Sequence, residues 1–525
     1  MTEATTCSAA EGGATYDFDV AIVGAGPVGV MLANICGTHG LSAVAFDRET
    51  QVYNLPRAAG IWDDVQRILA NNGVLDAVLP STDCMAGAEF VDARGRRIIG
   101  LETPPDLLTP NGYPPLLNIH QPGIERAMRE CLDRFEDIEL QLGCEVESLE
   151  QDADGVTLTV KPAGGGETGS TQVRSRWAVG CDGASSFVRK TLGIGWQSLG
   201  YDREWLVTDV EMKRECELPL LCQQICDPRR PTTLLPLPGR LRRWEFQLRD
   251  GETREQMENP ETVWSLLAPW IEPGDGEIRR AVVYRFHATI AETFRKGRVF
   301  IAGDAAHQTP PFMGQGLCSG VRDADNLVWK LAMVRRGQAD ASLLDTYTAE
   351  RRPLSVAMVE HSTNTGKLID AYAQMELGGP EPSPEMQAYA YGGGASLPDL
   401  SEGLLAHAGS SWEGQLIPAA QFATSGARTG TIDELIGSGW ALVGKEDPQT
   451  LLPADALAVW DRLGARRISV AEPDGAMLGL LLTHRVVAVR PDRIIFGADG
   501  ALEHVRELTR RLGGVDMNGG KDEAS

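Results

Sequence analysis

The sequence predicts an α/β protein in three parts: a dinucleotide-binding domain of Rossmann type, a β-rich domain inserted into it, and a smaller α/β domain at the C-terminal end. Three observations carry the prediction. An apolar run over residues 20–23 turns through Gly24-Ala25-Gly26-Pro27-Val28-Gly29 into a helix, and a second apolar run, 43–46, ends at Asp47, 18 residues after Gly29. Between residues 205 and 284 the pattern changes to strand alternation, clearest in Arg243-Trp244-Glu245-Phe246-Gln247, before 298–304 returns to the buried-strand style. After a Gly/Pro-rich stretch at 378–398, short apolar runs recur at 440–443, 468–470 and 486–490.

Glycine is required in the first motif for physical reasons. The turn is tight, a diphosphate must approach the main chain without meeting a Cβ, and Gly29 lets the helix sit close to its strand. The helix N-terminus then points free N–H groups and a partial positive charge at the phosphates, and Asp47 stands where an acid reaches a ribose hydroxyl. With 58 glycines in 525 residues a lone glycine pattern would say little. A strand–helix turn without a ligand leaves Asp47 at the end of the second strand unexplained.

In chain order, residues 53–60 form a loop into a helix near 62–71. Runs at 88–91 and 97–101 flank Arg94-Gly95 as a hairpin, and a Pro-rich loop, 103–115, leads to 117–121. A helix over 122–135 begins with Pro122. Strands at 145–149 and 156–160 bracket Asp152-Ala153-Asp154-Gly155, and the run at 177–183 ends in a polar turn. Long helices cover 320–337 and 343–373, and an amphipathic helix with Leu502, Val505, Leu508 and Leu512 closes the chain.

The length implies two to four domains. A net charge of −24, from 49 basic and 73 acidic residues, argues against a nucleic-acid partner. The ten cysteines run from Cys7 to Cys318; Cys222 and Cys226 are the nearest pair and lack the second pair or histidine spacing of a zinc site, so no metal is expected. Residues 1–16 read as a loose tail without a signal peptide's apolar centre, and no apolar stretch reaches the length of a membrane helix, which predicts a cytoplasmic protein without a membrane partner.

A second chemical motif, Gly303-Asp304-Ala305-Ala306-His307, follows a strand and precedes Pro310-Pro311-Phe312-Met313-Gly314-Gln315-Gly316. A carboxylate at a strand end and a glycine-rich entry to a helix near Leu317 place another helix N-terminus beside an electron-rich group; an ordinary cap and turn would explain the motif equally well. Together with Gly24 to Gly29, Pro56-Arg57-Ala58, Cys181-Asp182-Gly183-Ala184-Ser185-Ser186-Phe187-Val188-Arg189, the segment 323–330 and Tyr347-Thr348-Ala349-Glu350-Arg351-Arg352-Pro353, this motif resembles the single-component (class A) flavin-dependent aromatic hydroxylases that use NAD(P)H, in particular those acting on hydroxyphenylpropionate, phenol or polyketide phenols. The resemblance spans residue 17 to about 375 and extends weakly through Arg490-Pro491-Asp492-Arg493.

The resemblance implies a glutathione-reductase-like FAD-binding Rossmann domain (17–80, 116–195 and 286–375), an inserted β-sheet substrate domain (81–115 and 196–285) and a thioredoxin-like C-terminal α/β domain (400–525). It implies that Gly24, Gly26, Pro27 and Gly29 hold the FAD diphosphate, Asp47 with Arg48 the adenosine end, and Arg57 and Gln121 the diphosphate or ribityl chain. Gly303 and Asp304 would meet the ribitol, Asp182 would serve both FAD and the pyridine nucleotide, and Pro310, Pro311, Gly314, Gly316 and Leu317 would border the isoalloxazine ring. The implied chemistry reduces FAD with NADH or NADPH, a transient co-substrate without a dinucleotide fold of its own, adds O2 to give a flavin C4a-hydroperoxide, and hydroxylates a phenolic or heteroaromatic ring. Alternatives on the same fold are Baeyer–Villiger insertion and a flavoprotein that has lost catalysis.

Two departures stand out. Cys318 occupies a position where the family often has Asn, and Ala59 one where some relatives carry an Asp or His base. Tyr284 and His287, at the return of the inserted sheet, are the remaining catalytic candidates beside Pro310, although a structural role for His287 competes; Trp205, Trp244, Tyr284 and Phe312 are candidates to line the substrate pocket, although aromatics at strand spacing also build plain core. The last 125 residues hold no cysteine, which excludes dithiol chemistry and makes a packing or dimerisation module, and so a homodimer, the default reading.

Overall fold

The computed structural model describes residues 15–54, 57–164, 169–391, 398–407 and 409–503. Its first sheet runs Arg295–Lys296, Val299–Ile301, Thr171–Gly180, Phe18–Val23, Ala43–Asp47, Ile138–Leu142, and the last five of these pair in parallel. The apolar runs read from the sequence are these central strands: helices Pro27–Thr38 and Gln315–Arg335 pack together beside them, so Val20, Ala21, Ile22, Ala43, Val44 and Ala45 are all fully buried. The hairpin Cys144–Gln151/Val156–Pro162 extends the sheet from Thr171–Gly180.

The second sheet has eight strands, ordered His307–Gln308, Gly276–Ala291, Trp196–Met212, Leu241–Gln247, Thr232–Pro236, Cys222–Cys226, Gly87–Asp92, Arg97–Glu102. The predicted hairpin at 88–101 therefore joins the inserted strands, through a parallel pairing with Cys222–Cys226. One face is an apolar core of Leu206, Val210, Leu234, Trp244 and Phe246 under the helices Arg254–Met257 and Pro260–Leu267. The other face looks toward the first domain.

The C-terminal sheet is ordered Arg428–Gly430, Ala423–Ser425, Arg466–Ser469, Ala441–Gly444, Val486–Val489, Ile495–Ala498. Ala441–Gly444 and Arg466–Ser469 are parallel across the helix Ala454–Arg462, and the last two strands form an antiparallel hairpin, a thioredoxin-like arrangement. The three predicted strands are present, but the helices Ala454–Arg462 and Gly475–Thr483 and the strand Ile495–Ala498 went unread. The stretch expected to be linker contains the helix Pro384–Tyr391. The predicted terminal helix lies outside the described residues except for Leu502, which ends the short turn Asp499–Leu502.

This domain docks through buried charge. Arg490, fully buried, donates to Glu350 of the helix Thr346–Glu376 and to Asp492, while Lys330 of Gln315–Arg335 donates to the same Glu350 carboxylate and to Asn326. Arg67 makes a second tie, bidentate to Asp433 and to the Ile417 carbonyl. Among the described residues, no helix is long and apolar enough to cross a membrane.

Candidate active site

The strand Phe18–Val23 delivers the chain to Gly24, whose φ of +98° suits glycine alone. A Cβ on Gly24 would lie 2.5 Å from the Cys181 carbonyl oxygen, and one on Gly29 only 1.9 Å from the Gly24 carbonyl oxygen. Gly26 differs: a Cβ there would meet nothing within 4 Å, so it faces open space at the N-terminus of Pro27–Thr38, where no side chain caps the helix. The Asp47 carboxylate accepts from the Ala25 and Glu49 amides and locks the second strand's end against the turn, while the Arg48 side chain projects into solvent. The Gln121 side-chain oxygen accepts from the Arg57 and Ala58 amides and fixes the loop that faces the glycine turn.

Across from this cradle the chain leaves Val299–Ile301 through Gly303 (φ +61°) and turns at Gly314 (φ +63°) into Gln315–Arg335. Buried polar pairs hold the loop. The Asp323 carboxylate meets His307 Nε2 at 2.7 Å, Arg351 Nε at 2.8 Å and the Gly303 amide at 3.0 Å, so His307 is a structural member of its motif. Ser362 donates to the Pro310 carbonyl, Trp62 Nε1 to the Met313 carbonyl, and Arg322 bridges Asp64 and Gln315. Asp304 is exposed beside the cradle, with no hydrogen-bond partner among the described residues.

Cradle and loop open onto one cavity of about 580 Å³ that reaches under the second sheet. Gly26, Arg57, Asp304 and the loop Pro310–Leu317 line one side; Phe90, Tyr284 and Phe286 line the other.

A family model described as an FAD binding domain matches residues 17–362, and one described as the HcaD C-terminal domain matches 414–513. A 3-(3-hydroxy-phenyl)propionate/3-hydroxycinnamic acid hydroxylase from Mycolicibacterium smegmatis is 35% identical over 95% of this chain and 93% of its own length. A probable NADH-specific resorcinol 4-hydroxylase from Rhodococcus jostii is 34% identical over 94% of each. The chain belongs to the FAD-dependent aromatic hydroxylases. In fold, this hydroxylase resembles the flavin-dependent monooxygenase PieE in complex with FAD and substrate (23% identity, TM-score 0.78, 95% of this chain and 100% of that one). It also resembles OxyS anhydrotetracycline hydroxylase from Streptomyces rimosus (26% identity, TM-score 0.72, 94% and 98%).

The residues present fit FAD. The open space over Gly26 suits a diphosphate, the uncapped helix N-terminus supplies unpaired amides, and Asp304 offers a free carboxylate to a hydroxylated chain. Asp304→Ala is expected to weaken FAD binding by about 10- to 100-fold, the worth of hydrogen bonds to a charged group. Titration of the apoprotein with FAD checks this, and unchanged affinity would remove Asp304 from the cofactor site.

Several expected residues sit elsewhere than the sequence suggested. Trp244 is in the core on the far face of the second sheet, against Trp270, because it alternates with Arg243 and Glu245. Trp205 is also absent from the cavity wall: it packs edge-on behind Phe312, and its indole N–H donates to Tyr201. The Asp182 carboxylate turns away from the cavity, accepting from Ser186 Oγ and the Val188 amide to tie down the short helix Phe187–Thr191. His287 reaches the rim, 3.5 Å from Asp202, which also holds Arg285. Tyr284 and Phe286 share the face opposite, stacked 6.3 Å apart. Cys318, which also lines no part of the cavity, contacts the Gly60 carbonyl at 3.7 Å, and burial pushes its thiol up to about 11, so it packs as a core residue.

What sequence reasoning missed is the floor. Arg280, Asp209 and Arg243 lie opposite one another on three adjacent strands, with Glu245 two residues along on the same face; all four are buried. Arg243 donates to Asp209 at 2.7 Å and to the Arg57 carbonyl at 2.9 Å, and Arg280 Nη2 lies 2.8 Å from Asp209. The only signal was two charges alternating with Trp244 and Phe246, which reads equally as a solvent-facing edge.

Proposed function

We propose that this hydroxylase acts on a single-ring phenol substituted at the meta position, with NADH as reductant. The observation that carries the reading is the single cavity joining the dinucleotide cradle to a pocket with aromatic walls and a polar floor. The Mycolicibacterium and Rhodococcus relatives, similar over nearly their full lengths, support it: each is named for substrates that carry a phenolic hydroxyl with a second substituent in meta relation. When bound, FAD supplies the redox chemistry that delivers one oxygen atom of O2 using electrons from the pyridine nucleotide. The chain's own part is to hold that cofactor at Gly26 and Asp304, to orient the ring between Tyr284, Phe286 and Phe312, and to exclude water. Every described cysteine is a free thiol, which supports a reducing, cytoplasmic setting.

The purified protein should carry a flavin spectrum and oxidise NADH faster when resorcinol or 3-(3-hydroxyphenyl)propionate is added, giving a product heavier by one oxygen. A lactone or ester product would replace ring hydroxylation with Baeyer–Villiger insertion. Bound flavin with no response to either phenol would overturn the substrate class.

A further inference from the structure

A phenol transfers electron density to an incoming electrophilic oxygen far better as phenolate, so the site needs a proton acceptor. Ala59 lines the cavity and offers none. His287 is at the rim against Asp202, with its side chain 41% exposed. Asp209 is held by Arg243 and Arg280 together and does not line the cavity. Asp304 stands on the cradle side.

Glu245 remains. It lines the cavity at 5% exposure, and its nearest charged neighbour, Arg243 Nη1, is 4.0 Å away. No described residue donates a hydrogen bond to its carboxylate, yet neither oxygen is sealed from the cavity. A buried carboxylate without a donor is costly unless a ligand supplies one. Its surroundings suit a base that creates an anion. Arg243 and Arg280 both line the cavity, so guanidinium charge stands beside the place where phenolate would form.

We propose that Glu245 is the catalytic base that takes the phenolic proton of the substrate. The substrate O–H bond breaks with its electron pair left on the ring oxygen, the proton forms an O–H bond on a Glu245 carboxylate oxygen, and it passes to solvent when product leaves. Burial raises the Glu245 carboxyl above its ordinary range, against the pull of Arg243 and Arg280 and helped by Asp209, which narrows the gap to a phenol. The inference rests on the phenolic reading of the substrate.

The test compares wild-type holoenzyme with Glu245→Gln and Glu245→Asp, using resorcinol across pH and a nitrophenol that ionises near neutrality. Glu245→Gln is expected to retain FAD and to form product from resorcinol about 100-fold more slowly at neutral pH, the usual worth of a general base. The deficit should shrink as pH rises toward resorcinol's own ionisation, and should be smaller for the nitrophenol; Glu245→Asp should recover part of the rate. Product formation by Glu245→Gln near the wild-type rate, or an equal loss at every pH and with both phenols, overturns the assignment. Should Glu245→Gln not hold flavin, the absorption of the nitrophenol bound to wild type decides: ionised phenol below its solution pKa supports the base, and neutral phenol overturns it. If wild type itself hydroxylates no phenol, the functional reading fails first and takes this one with it.

Discussion

Gly24→Ala is expected to yield a protein without bound FAD and without substrate-dependent NADH oxidation. The φ of +98° strains any residue with a side chain by about 1–3 kcal/mol. The new methyl would also sit 2.5 Å from the Cys181 oxygen and 2.9 Å from the Asp182 Cα. Those neighbours are backbone, held in register by the parallel pairing of Val23 with Gly180, so neither side can give way without parting the central strands. Gly26→Ala separates folding from binding. Gly26 has φ −71° and open space at its Cβ, so the apoprotein should melt with wild type while the methyl intrudes where the diphosphate would run. Flavin absorbance per mole of protein, read beside thermal unfolding, checks both; full flavin retention in Gly26→Ala would place the diphosphate elsewhere.

The second large effect lies far from the cavity. Removing Glu350 takes from buried Lys330 its carboxylate partner and from buried Arg490 one of two, and breaking a buried pair in this way costs about 3–5 kcal/mol. Glu350→Ala should therefore melt well below wild type, with the C-terminal domain losing its anchor. The effect has a definite pH dependence. Burial acts to raise the Glu350 carboxyl, but Arg490 and Lys330 outweigh it and bring it down to about 2. An acid whose folded value lies below its unfolded value, about 4.3, contributes stability above that unfolded value and loses it as pH falls toward the folded one. The melting gap between wild type and Glu350→Ala should be widest near neutrality and narrow between about pH 4 and 2. Co-melting of the two proteins at pH 7 would show that the cluster contributes no net stability.

The Rossmann strand, its glycines, Asp47 and the Gly303–Gly316 loop were legible because each depends on spacing within a short piece of chain: a turn that only glycine can make, a helix that starts where the strand stops. The hairpin at 88–101 was legible for the same reason, while its place in the sheet of strands more than a hundred residues later came from the family resemblance and not from its own pattern. The helix Gly475–Thr483 was not, since Gly-Ala-Met-Leu-Gly-Leu-Leu-Leu-Thr has apolar residues on every side and no period to read. Nor was Glu350, whose motif gave no hint of a partner at Arg490. The sequence by itself determined the family, the glycine turn and the three-part build, all written in local pattern. Only the tertiary structure decided that Trp244 faces core, that Asp182 ties down the helix Phe187–Thr191, and that Arg243, Glu245 and Arg280 form a buried floor. Alternation along a strand assigns residues to two faces but cannot say which of them another domain will cover, and that covering turns an ordinary charged edge into a desolvated site.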